Sequence, residues 1–360
     1  ATDWLAVGLD PRTHDNVTLF IQSSVPEHAE LHLLLSMITP LSWLERVPTY
    51  KEQIENLREK DLGTYGFLGY PLLQSADIVM YGEPGKQLLV PVGEDQAPHI
   101  EMTREIVRRF NVLVGLGFSR QSPLNFEEIV NRAGVSLEPS WQWAVDPEAA
   151  QLSAIRKRAF EVGIANFLHS LGPVLRDLFS ITDVLQEPDV ILTETPRVPG
   201  TDGRRMAKSY GNAIWLSDTE EEIRKKAHNM MTDPQRVRRT DPGRPEVCPV
   251  FAYHNLFPEK KSAEDCARIE RVDRECRTAA IGCVDCKKLM AGALIKWIAP
   301  IQERRRKYEA NPDEVWNVLE DGSRRAKKVA EQTMARVRNA VFNWEGAGRK
   351  ASGERKVVGD

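Results

Sequence analysis

Apolar side chains along this chain alternate between helical and strand spacing, with glycine or proline at the joints. Trp4, Leu5, Val7 and Leu9 give residues 1–10 the look of the end of an amphipathic helix. The run Val17-Thr-Leu-Phe-Ile-Gln22 predicts a buried strand. Pro26 and the apolar spacing across 29–38 predict a helix, and 50–60 a more polar one. Residues 87–92 read as a strand closed by Gly93. Residues 94–110 then read as a helix, acidic at its start, with Arg108 and Arg109 near its end as the macrodipole prefers. Strand, glycine and helix in that order imply a parallel α/β architecture.

Past Asn111 the texture changes. Helical segments at 125–133 and 148–179 are joined by Gly, Ser and Pro breaks, among them Ser119-Arg-Gln-Ser-Pro123. Residues 112–187 therefore read as an inserted helical subdomain. Strand character resumes at Asp189-Val-Ile-Leu192, and a Pro/Gly-rich loop too long for a simple turn fills 194–205. From Thr219 onward helical patterns dominate, up to a Gly/Lys-rich tail after Trp344, and no internal repeat is visible. The expected divisions are 1–111 with 188–218, the insertion 112–187, a helical domain over 219–345, and a flexible tail over 346–360.

A chain of 360 residues with 41% hydrophobic and 28% charged positions has the composition of a globular protein with room for two domains. No apolar run approaches the roughly 18–20 residues that cross a bilayer, so a cytoplasmic location without a membrane partner is expected. The net charge of -3 hides an asymmetry. Residues 1–200 carry 16 Lys+Arg against 27 Asp+Glu, and residues 201–360 carry 33 against 25. Arg236, Arg238 and Arg239, then Arg304, Arg305, Arg306 and Lys307, cluster in the basic half. Such clusters suit a nucleic-acid backbone or, equally, a solvated helical face.

Four constellations carry candidate chemistry. In Asp202-Gly-Arg-Arg-Met-Ala-Lys-Ser-Tyr-Gly-Asn212, a glycine-bearing loop presents Arg205, Lys208 and Ser209, cations and a hydroxyl suited to phosphate; the plainer reading is an exposed basic loop. In Val90-Pro-Val-Gly-Glu-Asp-Gln96, a strand ending in glycine can bring backbone to a nucleotide and a carboxylate to its ribose, although strand–Gly–helix junctions are common. In Tyr70-Pro-Leu-Leu-Gln-Ser-Ala-Asp-Ile-Val-Met-Tyr81, Asp77 sits among apolar neighbours and needs a donor, whether a backbone N–H or a ligand. All five cysteines fall between Cys248 and Cys286. A Cys-x2-Cys pair, Cys283 and Cys286, with Cys276 and Cys248 completes a tetrahedral thiolate set, and Cys266 is the candidate spare or the alternative to Cys248. His28 and His99 fall on expected helices and read as satisfied, partly buried residues.

Together these stretches resemble the tryptophanyl-tRNA synthetases, a family of class I aminoacyl-tRNA ligases. Arg205-Met-Ala-Lys-Ser209 is similar to the KMSKS loop of class I, with Arg205 for its first lysine and Ala207 without the hydroxyl. Val90 to Asn111 and Tyr70 to Tyr81 look tryptophan-type rather than tyrosine-type. Thr278-Ala-Ala-Ile-Gly-Cys-Val-Asp-Cys-Lys-Lys288 resembles the branch that holds a [4Fe–4S] cluster near the anticodon end of its tRNA; zinc is the alternative occupant. The resemblance implies a Rossmann-like, doubly wound sheet, N-terminally incomplete, with a helical insertion and a C-terminal α-helical domain. It implies ATP with Mg²⁺, L-tryptophan and tRNA(Trp) as partners, not DNA, and a homodimer. By the same resemblance Gly93, Glu94, Asp95, Val198, Arg205, Met206, Ala207, Lys208 and Ser209 would hold ATP. Asp77 would accept the indole N–H, and Tyr70, Val90, Val92 and Gln96 would line the amino-acid pocket.

One family signature is missing. No His-x-Gly-His run and no Pro-Thr-Gly lead-in occurs, and the chain opens inside an element. The resemblance then implies an N-terminal segment outside this sequence, bearing the HIGH-type turn and a central strand, on which the activity of this chain would depend. The alternative is a non-catalytic RNA-binding or redox-sensing protein descended from a synthetase; the intact KMSKS-like loop, Gly93-Glu-Asp95 and Asp77 count against it.

Overall fold

The computed structural model describes residues 1–47, 50, 64–118, 126–132, 134–135, 147–192, 198–256 and 262–342. All but the first residue of the expected polar helix at 50–60, the whole of the Ser119–Pro123 break and the tail over 346–360 lie outside them. The chain forms two compact units: Ala1–Ile21 with Leu192–Ser323, and Gln22–Ile191 with Arg324–Asp360.

In the second unit, helix α2 (Glu27–Ser36) packs against α4 (Tyr65–Val79), α3 being the single turn Leu41–Leu44. Helix α4 is absent from the sequence reading, because Gly66, Gly69 and Pro71 interrupt its apolar pattern. Tertiary contacts hold it. The Thr64 hydroxyl accepts the Phe67 N–H at its start, and the Ser75 hydroxyl bonds both the Pro71 carbonyl and Thr103 Oγ1 at 2.7 Å. Thr103 belongs to α5 (Ala97–Gly115), whose buried stripe of Ile100, Ile106, Val107 and Phe110 faces the interior.

Strand β1 (Leu88–Val92) pairs with β4 (Pro188–Leu192), far along the chain. A second small sheet joins β2 (Leu116–Phe118) to β3 (Phe179–Ile181), antiparallel, with Phe118 opposite Phe179. Between these strands lie α6 (Phe126–Arg132), α7 (Pro147–Val162) and α8 (Ile164–Arg176). The expected continuous helix is broken at Gly163, whose φ of +84° suits glycine alone. Leu116, Ile155, Ala159, Phe167 and Leu175 form the core there.

The first unit is helical: α1 (Thr2–Ala6), α9 (Glu220–Asn229), α10 (Pro249–Leu256), α11 (Ala263–Arg277), α12 (Cys283–Ala310) and the start of α13 (Pro312–Phe342). Thr219 and Glu222 close a capping box on α9, and Ser262 with Asp265 closes another on α11. Ile223, Met230, Val250, Val272, Met290, Leu294 and Ile298 are its core.

The strand expected at 17–22 is not one. Leu19 is buried with Leu5, Val315 and Val318, and the Ile21 N–H donates to Ser323 Oγ. A Cβ on Gly322 would stand 1.8 Å from the Leu19 carbonyl oxygen. The apolar run is therefore irregular chain, ending in a short turn at Gln22, laid against a helix, which has no free backbone groups to form a ladder. Nor do all the basic clusters face water. Arg236 is buried, donating to the Ile281 and Arg239 carbonyls, while Arg304 bonds the Ala6 carbonyl and Arg305 meets Asp3.

Candidate active site

Helix α4 carries Tyr70, Gln74 and Asp77 at i, i+4 and i+7, one face of a helix. Gln74 Nε2 donates to Gln96 Oε1 at 3.2 Å, and Gln96 Nε2 donates to Asp95 Oδ2 at 2.8 Å. Tyr70 Oη lies 3.1 Å from His99 Nε2. Burial lowers the His99 pKa against the opposing charge of Asp95, so the ring is neutral near pH 7. The turn Glu94–Gln96, opened by Gly93, thus meets α4 through the Gln74–Gln96 hydrogen bond, which pairs one expected residue with one that was not. Gln74 and His99 are additions; helical spacing from Tyr70 was the only sequence signal for Gln74. On β1, Val90 and Val92 point to the same half-buried side while Leu89 and Pro91 are exposed.

Asp77 finds one donor, Gln22, and one close polar contact, His28, in the protein. Its Oδ1 lies 2.7 Å from Nδ1 of His28, and its Oδ2 accepts from Gln22 Nε2 at 2.6 Å. His28 Nε2 is in turn 2.7 Å from the Tyr81 hydroxyl. Burial, then the charges of Asp77 and Glu27, push the Tyr81 pKa up, so this hydroxyl keeps its proton. The Asp77 side chain is 34% exposed, open to a ligand rather than sealed in apolar packing.

The signature loop is framed by Asn212, which is buried. Its side-chain oxygen accepts the Ala207 N–H at 2.9 Å, and its Nδ2 donates to Asp202 Oδ1 at 2.8 Å and to the Arg205 carbonyl at 2.9 Å. The Asp202 carboxyl is held below its usual range, by Asn212 first and then by Arg204. Pro199 bridges Arg205, and the Met206 N–H donates to the Val198 carbonyl at 3.1 Å, so that carbonyl is engaged within the loop. Gly200 is required: a Cβ there would stand 2.2 Å from Asn212 Nδ2. This frame ends in the short turn Lys208–Tyr210 and Gly211 at φ +64°, leaving Arg205 and Lys208 exposed. Of Ser209 the backbone alone is described. Asn212→Ala should lower stability by about 2–3 kcal/mol, since it strands buried backbone groups. Urea unfolding and limited proteolysis within 200–211 would check this, and an unchanged midpoint with unchanged cleavage would show that Asn212 is not the frame.

The cysteines gather where α10, α11 and α12 meet. Burial, then the neighbouring Cys248, Cys276 and Cys283 thiols, raise the Cys286 thiol to about 12. Burial raises Cys276 as well, opposed by Arg236, whose Nη1 is 3.7 Å from the sulfur. Cys283 and Cys286 share the first turn of α12, and Cys286 Sγ lies 3.5 Å from Nε2 of the fully buried His254. A Cβ on Gly243 would come within 2.5 Å of Cys276 Sγ, so glycine makes room for this sulfur. Cys266 is exposed. The donor set fits a thiophilic metal or cluster in kind. Among the described residues, however, no three His, Cys, Asp or Glu side chains stand as a ready-made metal site. Also among them, no helix is long and apolar enough to cross a membrane.

Comparison with known proteins places these features in context. The family model described as tRNA synthetases class I (W and Y) matches residues 1–136 and 168–299. The tryptophan–tRNA ligase of Ralstonia nicotianae is 46% identical over 345 residues, covering 94% of this chain and 82% of the relative. That of Thermotoga maritima is 41% identical, covering 94% and 79%. In structure, the chain is similar to tryptophanyl-tRNA synthetase from Campylobacter jejuni, solved with ADP and tryptophan, at a TM-score of 0.59 and 21% identity. This match covers 94% of the chain and 80% of that structure, and supports the α/β class I fold.

Proposed function

The chain belongs to the tryptophanyl-tRNA synthetases of class I, and from that premise we propose that it charges tRNA(Trp) with L-tryptophan at the expense of ATP. A carboxylate oxygen of tryptophan attacks the α-phosphorus of ATP·Mg²⁺, forming tryptophanyl-adenylate and releasing pyrophosphate. A terminal ribose hydroxyl of the tRNA then attacks the acyl carbon, and AMP leaves. No protein nucleophile is needed, because orientation and charge stabilisation supply the acceleration.

The observation that carries this reading is Asp77, a partly exposed carboxylate on the same helical face as Tyr70 and Gln74. Asp77 takes the indole N–H; Tyr70, Val90, Val92 and Gln96 line the pocket. Gly93, Glu94 and Asp95, with backbone near Val198, hold the nucleotide. Arg205, Lys208 and Ser209, with Met206 and Ala207 in the same loop, meet the phosphates and stabilise the departing pyrophosphate. We read 1–111 with 188–218 as the catalytic part, 112–187 as its insertion and 219–345 as the tRNA-binding part. Family membership also favours a homodimer. Tryptophan titration followed by calorimetry tests the reading directly. Saturable binding of tryptophan with little binding of tyrosine supports it; equal binding of both, or of neither, would overturn it.

Cys248, Cys276, Cys283 and Cys286 would hold a [4Fe–4S] cluster, with zinc as the other occupant. A cluster there would supply a rigid cross-link among α10, α11 and α12, with no role in the two chemical steps. Support comes from the convergence of the four thiols and the space left at Gly243. Anaerobically purified protein should contain about four irons with visible absorbance, or one zinc without it. Cys286→Ser should lose most of the metal and Cys266→Ser should keep it. Equal metal in both variants, or none in the parent protein, would remove the assignment.

A further inference from the structure

The specificity carboxylate has a protein neighbour at each oxygen, and the two differ in kind: Gln22 donates a hydrogen bond, whereas His28 makes a close polar contact out of line for one. His28 is 3% exposed, in the first turn of α2, with Nδ1 at 2.7 Å from Asp77 Oδ1. Gln22 opens the short turn Gln22–Ser24, and its side-chain amide reaches Asp77 Oδ2 at 2.6 Å on the exposed side. We propose that His28, oriented by Tyr81, is the positioning residue that fixes Asp77, and that Gln22 is a displaceable stand-in for the indole N–H. This rests on the reading of Asp77 as the indole acceptor.

Proton bookkeeping defines the first role. Tyr81 keeps its hydroxyl proton, and that hydroxyl is 2.7 Å from His28 Nε2. When that hydroxyl donates to Nε2, the imidazole proton lies on Nδ1, the nitrogen that faces the carboxylate. The chain Tyr81–His28–Asp77 thereby sets the direction of one carboxylate oxygen, and so of the other. A buried ring held at Nε2 by the Tyr81 hydroxyl has little freedom to follow a ligand. Its Nδ1, 2.7 Å from the carboxylate but out of line for a hydrogen bond, makes a close polar contact that keeps the carboxylate's aim whether or not the site is filled.

The second role follows from what the remaining oxygen accepts. A carboxamide N–H and an indole N–H are both planar, neutral donors, so tryptophan can replace Gln22 at Oδ2 with one hydrogen bond exchanged for another. A side chain without an N–H meets a different choice. It must share space with the Gln22 amide, or displace it and leave a carboxylate oxygen stranded against an apolar ring. Either outcome penalises phenylalanine-like side chains more than shape alone would.

The test is calorimetric binding of tryptophan and of benzothienylalanine, in which sulfur replaces the indole N–H. The parent protein should prefer tryptophan by roughly 100-fold. His28→Leu should reduce that ratio about tenfold or more, since Asp77 loses its aim. His28→Asn places an amide N–H near the former Nδ1 and should restore most of the ratio. His28→Gln reaches toward Tyr81 instead and should not, which keeps the test decisive if His28→Leu fails to fold. Gln22→Ala should tighten tryptophan binding by roughly three- to tenfold, because the competing donor is gone. A ratio unchanged in every His28 variant would overturn the positioning role. Weaker tryptophan binding in Gln22→Ala would make Gln22 a wall of the pocket rather than a stand-in. A parent protein that binds both amino acids equally would instead overturn the reading of Asp77 itself.

Discussion

Asp77→Ala should reduce tryptophan affinity by two orders of magnitude or more, about the range seen where a site built to hydrogen-bond a ligand loses that group. The substitution removes the acceptor of the indole N–H, takes the acceptor from Gln22 Nε2 and removes the 2.7 Å polar contact of His28 Nδ1. Removing the carboxylate adds a stability term of about 1 kcal/mol, because these polar groups lose their partner. Asp77→Asn separates the two effects. It keeps the volume and one acceptor oxygen, so folding should be preserved while tryptophan binding still falls. Calorimetry with tryptophan, beside a urea melt of each variant, reads both quantities. Near-normal tryptophan affinity in a folded Asp77→Ala protein would remove Asp77 from the specificity argument.

Lys208→Ala acts on the other substrate. Lys208 is exposed at the start of the short turn that Asn212 and Gly211 frame, where its ammonium is free to follow a phosphate. Losing one charge that stabilises a developing anion typically lowers kcat by about 10²–10³-fold. Pyrophosphate affinity should fall roughly tenfold with it, the loss of one charge-assisted contact. Tryptophan affinity should stay constant, since Lys208 stabilises the leaving group and makes no contact with the amino acid in this reading. ATP–pyrophosphate exchange, pyrophosphate titration and tryptophan titration of the same variant discriminate. Parallel losses in all three would point to a misfolded loop, and no loss in any would show that Lys208 is a bystander.

Asn212 and Lys208 show why the loop was legible only in part. The order of Arg205, Met206, Lys208 and Ser209 is a chemical signature that survives in a linear string. Asn212 carries no comparable signal, because its three hydrogen bonds run to backbone and side-chain atoms at 202, 205 and 207 that only the folded loop brings within reach. The same holds for His28, forty-nine residues from Asp77 along the chain. A lone histidine on a helix is more often a satisfied core residue, and the choice between the readings lies in a distance. The 17–22 segment marks the opposite limit: an apolar run of strand character met a helix instead of a neighbouring strand.

By itself the sequence carried the resemblance to the family and marked the signature loop, the Gly93-Glu-Asp95 turn, Asp77 and the cysteines as candidates, because these depend on residue type and spacing. It also predicted helices over 94–110, 125–133 and 148–179 and helical character from Thr219 onward, where apolar periodicity is strong. Tertiary structure alone decided that α4 would be a helix despite Gly66, Gly69 and Pro71, since packing against α2 and the Ser75–Thr103 contact outweigh weak local propensity. It alone decided that Arg236 turns inward toward Cys276 while Lys208 stays in water. And it alone set His28 and Gln22 beside the two oxygens of Asp77, because contact within about 3 Å is a condition that no spacing along the chain can specify.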